Sequence, residues 1–460
     1  MIARSAAEIA AVVGGMIVQG DPSVRASGVS IDSRTIGPGD AFFAIRGETH
    51  DGHAFIDQAL SGGASLAIVA DSAIRPQGLT LVRVGDTTAA LGALAADERR
   101  RGSYKVIAIT GSSGKTTARA LTTAAVSTRL RTASSVGNLN NHWGLPLSML
   151  RLPDAIDVAV LELGMNHAGE IAALTRIAQP DIGVITNVGT AHLGNFQDER
   201  GIAAAKCELL DEMPAHARGV VHYGSPLLME RAAHCTKPLL TFGLDTKAEL
   251  RAEDLGGSLL TGSRFRVRNV NVNLALWGTH AALNALAALG AGLWLGLSIE
   301  EMAPGLQSVT PIAGRGQLLR LAGNVLVVDE TYNANPGAME AVLAGLAGSA
   351  WNGRRVAVLG DMRELGTRTS DLHQQVGAAA ARHGIQLLHA VGSYAGAMAD
   401  AAQAGGVPEV FTHADAAEAS RAVPATLRDG DLVVIKASRG THLETVLSSV
   451  VAARPLQGQA

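Results

Sequence analysis

The sequence predicts an α/β protein of three successive domains, each built from strand and helix units. Three observations predict it. At 460 residues the chain exceeds what one hydrophobic core usually serves, so two or three domains are expected. Glycine (53 residues) and alanine dominate while aromatics make up only 3%, which suits helices packed closely on a sheet rather than an all-β sandwich. Residues 106–121, VIAITGSSGKTTARAL, then show the pattern directly: an apolar run breaks into a glycine-hydroxyl-lysine turn and resumes as an alanine-rich helix.

Residues 1–103 form the first unit, a small α/β domain. Its opening segment, 1–18, is apolar but interrupted by Glu8, and Ser5 three residues earlier makes a capping box, so it reads as a small amphipathic helix rather than a signal peptide. Short strands follow in VSIDSR, AFFAI and LAIVA. Polar residues gather just past the first two: Asp32, Ser33 and Arg34, then Arg46, Gly47, Asp51 and His53, a set able to form a polar mouth. The helix DTTAALGALAADERRRGS ends in the charged cluster Glu98–Arg101, read as a solvated linker.

Residues 104–312 form the central domain, with a mostly parallel sheet. Val106–Ile109 read as its buried first strand. Gly111 and Gly114 let main-chain N–H groups of Ser112, Ser113 and their neighbours approach phosphate oxygens, Lys115 brings a positive charge to the terminal phosphates, and Thr116 or Thr117 offers a hydroxyl to Mg²⁺. A standard Walker A loop would have glycine where Ile109 stands, so the motif is GxxGKTT, a nucleoside triphosphate cradle in shortened form. An asparagine-rich loop with Asn138, Asn140 and Asn141 follows. Two further strands end on polar residues, Glu162 and Asn187, with His192 five residues beyond the second. In open parallel sheets ligands lie beyond the carboxyl ends of strands, so these positions should converge on the cradle. Lys206 lies on the next helix, where solvation is the ordinary fate of a lysine. VNVNLALW alternates as an antiparallel strand on the domain flank, and His280 and Asn284 share one face of an alanine helix.

Residues 313–460 form the third unit, a Rossmann-like doubly wound domain reached through a hinge at TPIAGRGQ that carries Arg315. Its strands are expected to end at Asp329, Asp361 and Lys436. A net charge of −3 excludes no ligand but gives no global reason for nucleic acid or an anionic membrane surface as partner. Cys207 and Cys235 cannot make a disulfide framework, and no run of about 18 apolar residues occurs, so a soluble cytoplasmic chain is expected.

Taken together, SIDSR, FFAIRGETHDGH, ITGSSGKTT, NLNNHWGLP, ELGMN, NVGTAH, GRGQ, ETYNANP, LGDMRELG and KASRG resemble, in that order and over nearly the whole chain, the ATP-dependent Mur ligases of peptidoglycan synthesis. TYNANP and LGDMRELG look like the D-alanyl-D-alanine-adding branch, and the DNPR motif often carried by the preceding diaminopimelate- or lysine-adding enzyme is absent. The resemblance implies a UDP-binding first domain, a central ATPase and a closing third domain. It implies that Gly111–Thr117 bind ATP, that Thr116, Glu162 and His192 help hold Mg²⁺, and that Lys206 is carbamylated, a carbamate being the anionic oxygen donor that Mg²⁺ prefers. It further implies that Ser33, Arg34, Arg46, Gly47 and Asn141 meet the UDP-MurNAc-tripeptide, that Asn284, Arg315 and Asp329 meet nucleotide, and that Tyr332, Asn333 and Asn335 shape the nucleotide and D-alanyl-D-alanine side. The chain has Asp329, Glu330 and Thr331 where the family commonly shows Asp-Asp-Ser, which leaves Asp329 and Glu330 as alternatives for the nucleotide contact. Ala281 and Ala437 also depart from the family's usual residues, and Asn284 is preferred to His280 for adenine.

The implied reaction is an amide ligation by way of an acyl phosphate, with a monomer expected and the third peptide residue open between diaminopimelate and lysine. The SIDSR-to-DGH block argues against a ligase of the folylpolyglutamate or cyanophycin type. A nucleotide switch or scaffold would leave the co-occurrence of Lys206, Glu162 and His192 without a reason.

Overall fold

A computed structural model of the protein describes residues 3–70 and 78–457. Its first helix, Ala6–Val13, begins at the expected capping box: the Ser5 hydroxyl accepts from the Glu8 N–H (3.2 Å) while the Glu8 carboxylate accepts from the Ser5 N–H (2.7 Å). The helix is shorter than the apolar segment because Gly14 turns left-handed (φ 63°), a conformation glycine adopts at little cost, and Met16–Gln19 becomes a strand instead. That strand is the antiparallel edge of a five-stranded sheet that continues through Thr80–Arg83, Leu66–Val69, Asp40–Phe43 and Gly28–Ser30, all parallel.

The second sheet has seven parallel strands in the spatial order Leu250–Arg251, Leu239–Gly243, Arg218–His222, Ile182–Ile185, Lys105–Thr110, Val158–Glu162, Thr132–Ser134. The chain leaves the central strand Lys105–Thr110 toward one edge and later returns to fill the other side. The crevice at the carboxyl end of that strand, between Glu162 and the segment after Ile185, is therefore the topological switch point. Val106, Ile107, Ala108 and Ile109 are fully buried, alternating between two apolar clusters on opposite faces of the sheet. Burial of this kind, about 1.5–3 kcal/mol for each large aliphatic side chain, makes the strand a rigid base for the loop that follows it. Val270–Leu274 is the expected antiparallel strand, paired with Gly262–Val267 in a separate three-stranded sheet.

The third sheet runs Gln317–Leu321, Val325–Glu330, Leu432–Lys436, Arg355–Gly360, Leu387–Val391, Glu409–His413, with only the first strand antiparallel. Val325, Val327 and Val433 face one buried cluster and Leu326, Val328 and Val434 another, so the sheet is covered on both faces, as a doubly wound domain requires. Two strand ends differ from expectation by one residue: the strand expected to end at Asp329, Val325–Glu330, includes Glu330, and Asp361 lies just past Gly360.

The charged cluster Glu98–Arg101 is not a solvated linker. It is the last turn of the helix Thr87–Arg101, and Arg99 donates to the carbonyls of Ala178 and Gln179 and to the Asp181 carboxylate (2.9 Å), while Arg4 pairs with Asp97 and Glu98. Asp181 also holds the Lys105 ammonium (2.8 Å) and the Val106 N–H (2.9 Å). The segment before the first helix and the base of the cradle strand are thus both tied by ion pairs to the last turns of the helix Thr87–Arg101.

Candidate functional site

The cradle is braced from below. Gly111 has φ 152° and no room for a side chain, since a Cβ would stand 1.9 Å from the Thr186 hydroxyl, and a Cβ on Gly114 (φ 80°) would stand 2.4 Å from Asn284 Oδ1. The 186–189 segment is stitched to the loop. Asn187 Oδ1 accepts from the Ser113 N–H (2.9 Å), its amide donates to Ser113 Oγ (2.7 Å), the Ser112 N–H donates to the Asn187 carbonyl (3.1 Å) and Thr186 Oγ1 donates to the Ser113 carbonyl (2.6 Å). Asn187 does converge on the cradle, and its side chain is spent in shaping the loop. Lys115, the first residue of the helix Lys115–Ser127, rests its Nζ on the Gly111 carbonyl at 2.8 Å. Desolvation lowers its pKa, with Glu162 opposing and Arg315 adding to the shift.

Glu162 is 3% exposed at the end of its strand and is held at both oxygens, by the Thr116 hydroxyl (3.0 Å) and by the Asn140 amide (2.9 Å). Arg119 stands 3.9 Å away and is itself turned toward Ser135. The Asn140 amide thereby gives the asparagine-rich loop a purpose beyond turn formation. Asn141 Oδ1 accepts from the Trp143 N–H (3.2 Å) and the Gly144 N–H (2.8 Å) and so shapes the turn into the helix Gly144–Leu150, and Trp143 carries the loop across to the first domain, donating to Thr88 Oγ1 at 3.0 Å. Lys206 is 1% exposed with no hydrogen bond or ion pair from its ammonium among the described residues. Burial, and then the nearby Lys115 charge, push its pKa well below the usual lysine value. The solvated reading of Lys206 is therefore wrong.

The opposite wall comes from the third domain. Asp329 faces the hinge, where its carboxylate accepts from the Gly314 N–H (2.7 Å), the Thr331 N–H (3.1 Å) and the Thr331 hydroxyl (2.7 Å). With its lone pairs so engaged, Asp329 fixes the backbone that presents Arg315. Glu330 is the acid that lines the cavity, paired with buried Lys436 (2.8 Å), which also donates to the Asn333 carbonyl. Arg315 lies over the Tyr332 ring at 3.8 Å, Asn335 caps the helix Pro336–Ala347 through the Ala338 N–H (2.9 Å), and Asn333 Oδ1 accepts from the Ala334 N–H (2.9 Å). His280, packed edge-on to Trp277, has its pKa lowered by burial.

Between these walls lies a cavity of 640 Å³ bounded by Ser112–Thr117, Glu162, His192, Asn284, Arg315 and Tyr332. His192 lines it, but its Nδ1 lies 2.5 Å from Glu364 Oε2 in the third domain, a contact that holds the glutamate below its ordinary pKa. The first-domain residues are not brought into it. Arg34 pairs with Asp32 (2.7 Å) and is 78% exposed, Arg46 pairs with Asp51 (2.9 Å) and is 65% exposed, and Ser33 donates to Gln58 (2.9 Å). Gly47 lies beside the central domain, where a Cβ in its place would stand 3.7 Å from the Trp143 ring.

No cluster of three or more His, Cys, Asp or Glu able to hold a metal occurs among the described residues. The donors do suit a hard cation: the Thr116 hydroxyl and Glu162 carboxylate oxygens meet at the phosphate loop, where Mg²⁺ is ordinarily bound. Arg119, Trp277 and Glu364 are site residues that sequence reasoning missed. Glu364 stood within LGDMRELG, but its partner is far along the chain and no spacing rule joins them.

Fold and site define a phosphate-loop protein whose nucleotide cleft is closed by the following domain. The chain belongs to the Mur ligase family: the Mur ligase middle domain profile matches residues 109–292, the Mur ligase glutamate ligase domain 314–439, and the Mur ligase family catalytic domain 25–99. Within it, the chain is 37% identical to the UDP-N-acetylmuramoyl-tripeptide–D-alanyl-D-alanine ligase of Synechocystis over 94% of this chain and 93% of that one. It is 32% identical to the Bacillus subtilis ligase of the same name, covering 98% and 99%. The crystal structure of MurF from Acinetobacter baumannii superposes with a TM-score of 0.89 (32% identity, 98% and 99% covered), and that of MurF ligase from Thermotoga maritima in complex with ADP with 0.83 (27% identity, 93% and 97% covered).

Proposed function

We infer that the chain is the ATP-dependent ligase that joins D-alanyl-D-alanine to UDP-N-acetylmuramoyl-tripeptide, releasing the UDP-linked pentapeptide, ADP and phosphate for peptidoglycan synthesis. The observation that carries this reading is similarity to ligases of that name across all three domains. A carboxylate is a poor acyl donor because oxide would have to leave, so the tripeptide's terminal carboxylate first takes the γ-phosphoryl group of ATP. The free amine of the dipeptide then attacks the acyl phosphate through a tetrahedral intermediate, and phosphate leaves.

The chain's own residues do the following. The N–H groups of 114–117 at the start of the helix cradle the phosphates, those of Ser112 and Ser113 being spent on Asn187 rather than facing phosphate as expected, and Lys115 neutralises charge on the phosphoryl group that moves. Thr116 and Glu162, with His192 at the rim, would hold Mg²⁺, which would supply charge neutralisation when bound. Lys206, buried and without a counter-ion among the described residues, is the amine that would add CO₂ with loss of a proton, and its carbamate would contribute the missing anionic oxygen. Asn284 and Arg315 receive the nucleotide, Tyr332, Asn333 and Asn335 the amine side, and Ser33, Arg34, Arg46 and Gly47 the uridine diphosphate. Domains bounded at 103 and 312 let the third close and exclude water from the acyl phosphate. Both cavity walls come from one chain, which supports the reading of a monomer as the working unit, and no helix among the described residues is long and apolar enough to cross a membrane. ATP and a UDP-linked substrate place the reaction in the cytoplasm.

Phosphate release from ATP tests the reading, measured with UDP-MurNAc-tripeptide in the presence and absence of D-alanyl-D-alanine. Release should require the tripeptide and D-alanyl-D-alanine together. Equal release with L-glutamate or other amines in its place would sink the assignment.

A further inference from the structure

Glu364 makes two contacts with the central domain that nothing in the proposed reaction yet uses. Its carbonyl accepts from the Gly194 N–H at 2.7 Å, and its Oε2 lies 2.5 Å from His192 Nδ1. Both His192 (φ 67°) and Glu364 (φ 63°) hold the left-handed conformation that L-residues seldom adopt unless their surroundings fix it. Beside them the two loops meet at backbone distance. A Cβ on Gly194 would stand 2.9 Å from the Gly366 nitrogen, and one on Gly366 would stand 3.0 Å from the Gly194 Cα. The side chain and main chain of one third-domain residue therefore grip two residues of one central-domain loop, at a place where no side chain could be inserted.

The gripped loop is the continuation of the segment that shapes the cradle. Thr186 and Asn187 are bonded to Ser113, the Gly189 N–H donates to Ser112 Oγ at 2.9 Å, and His192 follows three residues later. His192 Nδ1 is buried and makes no hydrogen bond, and the Glu364 carboxylate stands 2.5 Å from it; an imidazole drawn to that carboxylate presents Nε2 elsewhere, which is how an outer carboxylate orients a histidine. His192 lines the cavity, and Glu364 does not.

We propose that Glu364 is a positioning residue: it orients His192 in the nucleotide cavity and, with the Gly194–Gly366 apposition, makes docking of the third domain a condition for that orientation. The proposal rests on the ligase reading for the assay of turnover, and its second arm is independent of that reading.

The test uses the full-length chain with Glu364→Gln, His192→Gln, the double variant and Gly194→Ala. Glu364 is exposed at the surface and its replacement leaves the core intact. Glu364→Gln should lower kcat by about tenfold or more, with KM for ATP changed far less, and the double variant should be no worse than His192→Gln alone, because the two act as a unit. In the second arm, small-angle X-ray scattering with ADP should show Gly194→Ala more extended than the wild type. Multiplicative losses in the double variant, a wild-type kcat in Glu364→Gln, or wild-type scattering from Gly194→Ala would each overturn the proposal. If the wild type releases no phosphate with its proposed substrates, the ligase reading falls alone, and the scattering arm still decides whether the loops' contact holds the domains together.

Discussion

The phosphate cradle and the first-domain mouth draw on the same kinds of side chain, and they are built in opposite ways. In the cradle, Ser113 is bonded to a residue 74 positions away and Thr116 to one 46 positions away. In the mouth, Arg34 is paired with a residue two positions away and Arg46 with one five positions away. Bonds of the first kind exist only once the sheet has formed, so the cradle is preorganised and its geometry is fixed before any ligand arrives. Bonds of the second kind are local and half-solvated, and an arriving diphosphate can exchange with Asp32 or Asp51 at little cost. The difference teaches where each region should act. Damage to the cradle side should fall on turnover, and damage to the mouth on substrate affinity.

The largest expected effect is on the cradle side. Lys206→Ala should lower phosphate release on the order of a thousandfold, as loss of a charge-stabilising group does, and added short-chain carboxylic acids should restore part of it by supplying the missing oxygen. Full activity without such acids would remove Lys206 from the site and leave its burial without a purpose. Next is Asn140→Ala, which strips one donor from a carboxylate that is almost wholly buried. Turnover should fall by about 10- to 100-fold, and the unsatisfied oxygen should cost about 1–3 kcal/mol in a denaturant titration. A variant with normal turnover would mean that Glu162 needs only Thr116 to hold it.

Arg46→Ala should behave in the opposite sense. KM for the UDP-linked tripeptide should rise by about tenfold, the worth of one charge-assisted hydrogen bond, while kcat stays unchanged because the group contributes uniform binding. A fall in kcat of the same size would break the contrast and make the mouth part of the catalytic geometry.

The same contrast accounts for what could be read from the sequence. The α/β layers, the cradle and the strand-end positions of Glu162 and Lys436 follow from local patterns, since apolar runs, glycines and their punctuation report on neighbours within a few residues. What could not be read is what the polar groups bind. Asn187 braces the loop, Asp329 holds the hinge so that Glu330 faces the cavity, Arg99 clamps two domains and His192 turns to Glu364. In each case the deciding partner lies beyond the reach of any periodicity, except at Asp329, where the choice between adjacent acids depends on which side of a pleat each occupies. The antiparallel strand Gln317–Leu321 was hidden for a related reason, as its pairing is set by the hinge that turns it back.

The smallest effect expected is on stability against acid in the mouth. The guanidinium of Arg34, and then its N–H, hold Asp32 down to about 2, and the His53 N–H holds Asp51 to about 2, both from an ordinary 3.8. A carboxylate whose folded pKa is depressed contributes stability that is present above the unfolded pKa and disappears as pH falls through the folded one. The window is therefore from about 4 down to about 2. Because Asp32 and Arg34 are 34% and 78% exposed, solvent screens most of the pair's attraction, and its contribution should be about 0.5 kcal/mol. Asp32→Asn should thus lower Tm by no more than about 2 °C at neutral pH, with the two curves converging near pH 2. A drop of many degrees would show the mouth to be as firmly prebuilt as the cradle, and the Arg34 guanidinium could then not turn from Asp32 to a diphosphate without loss.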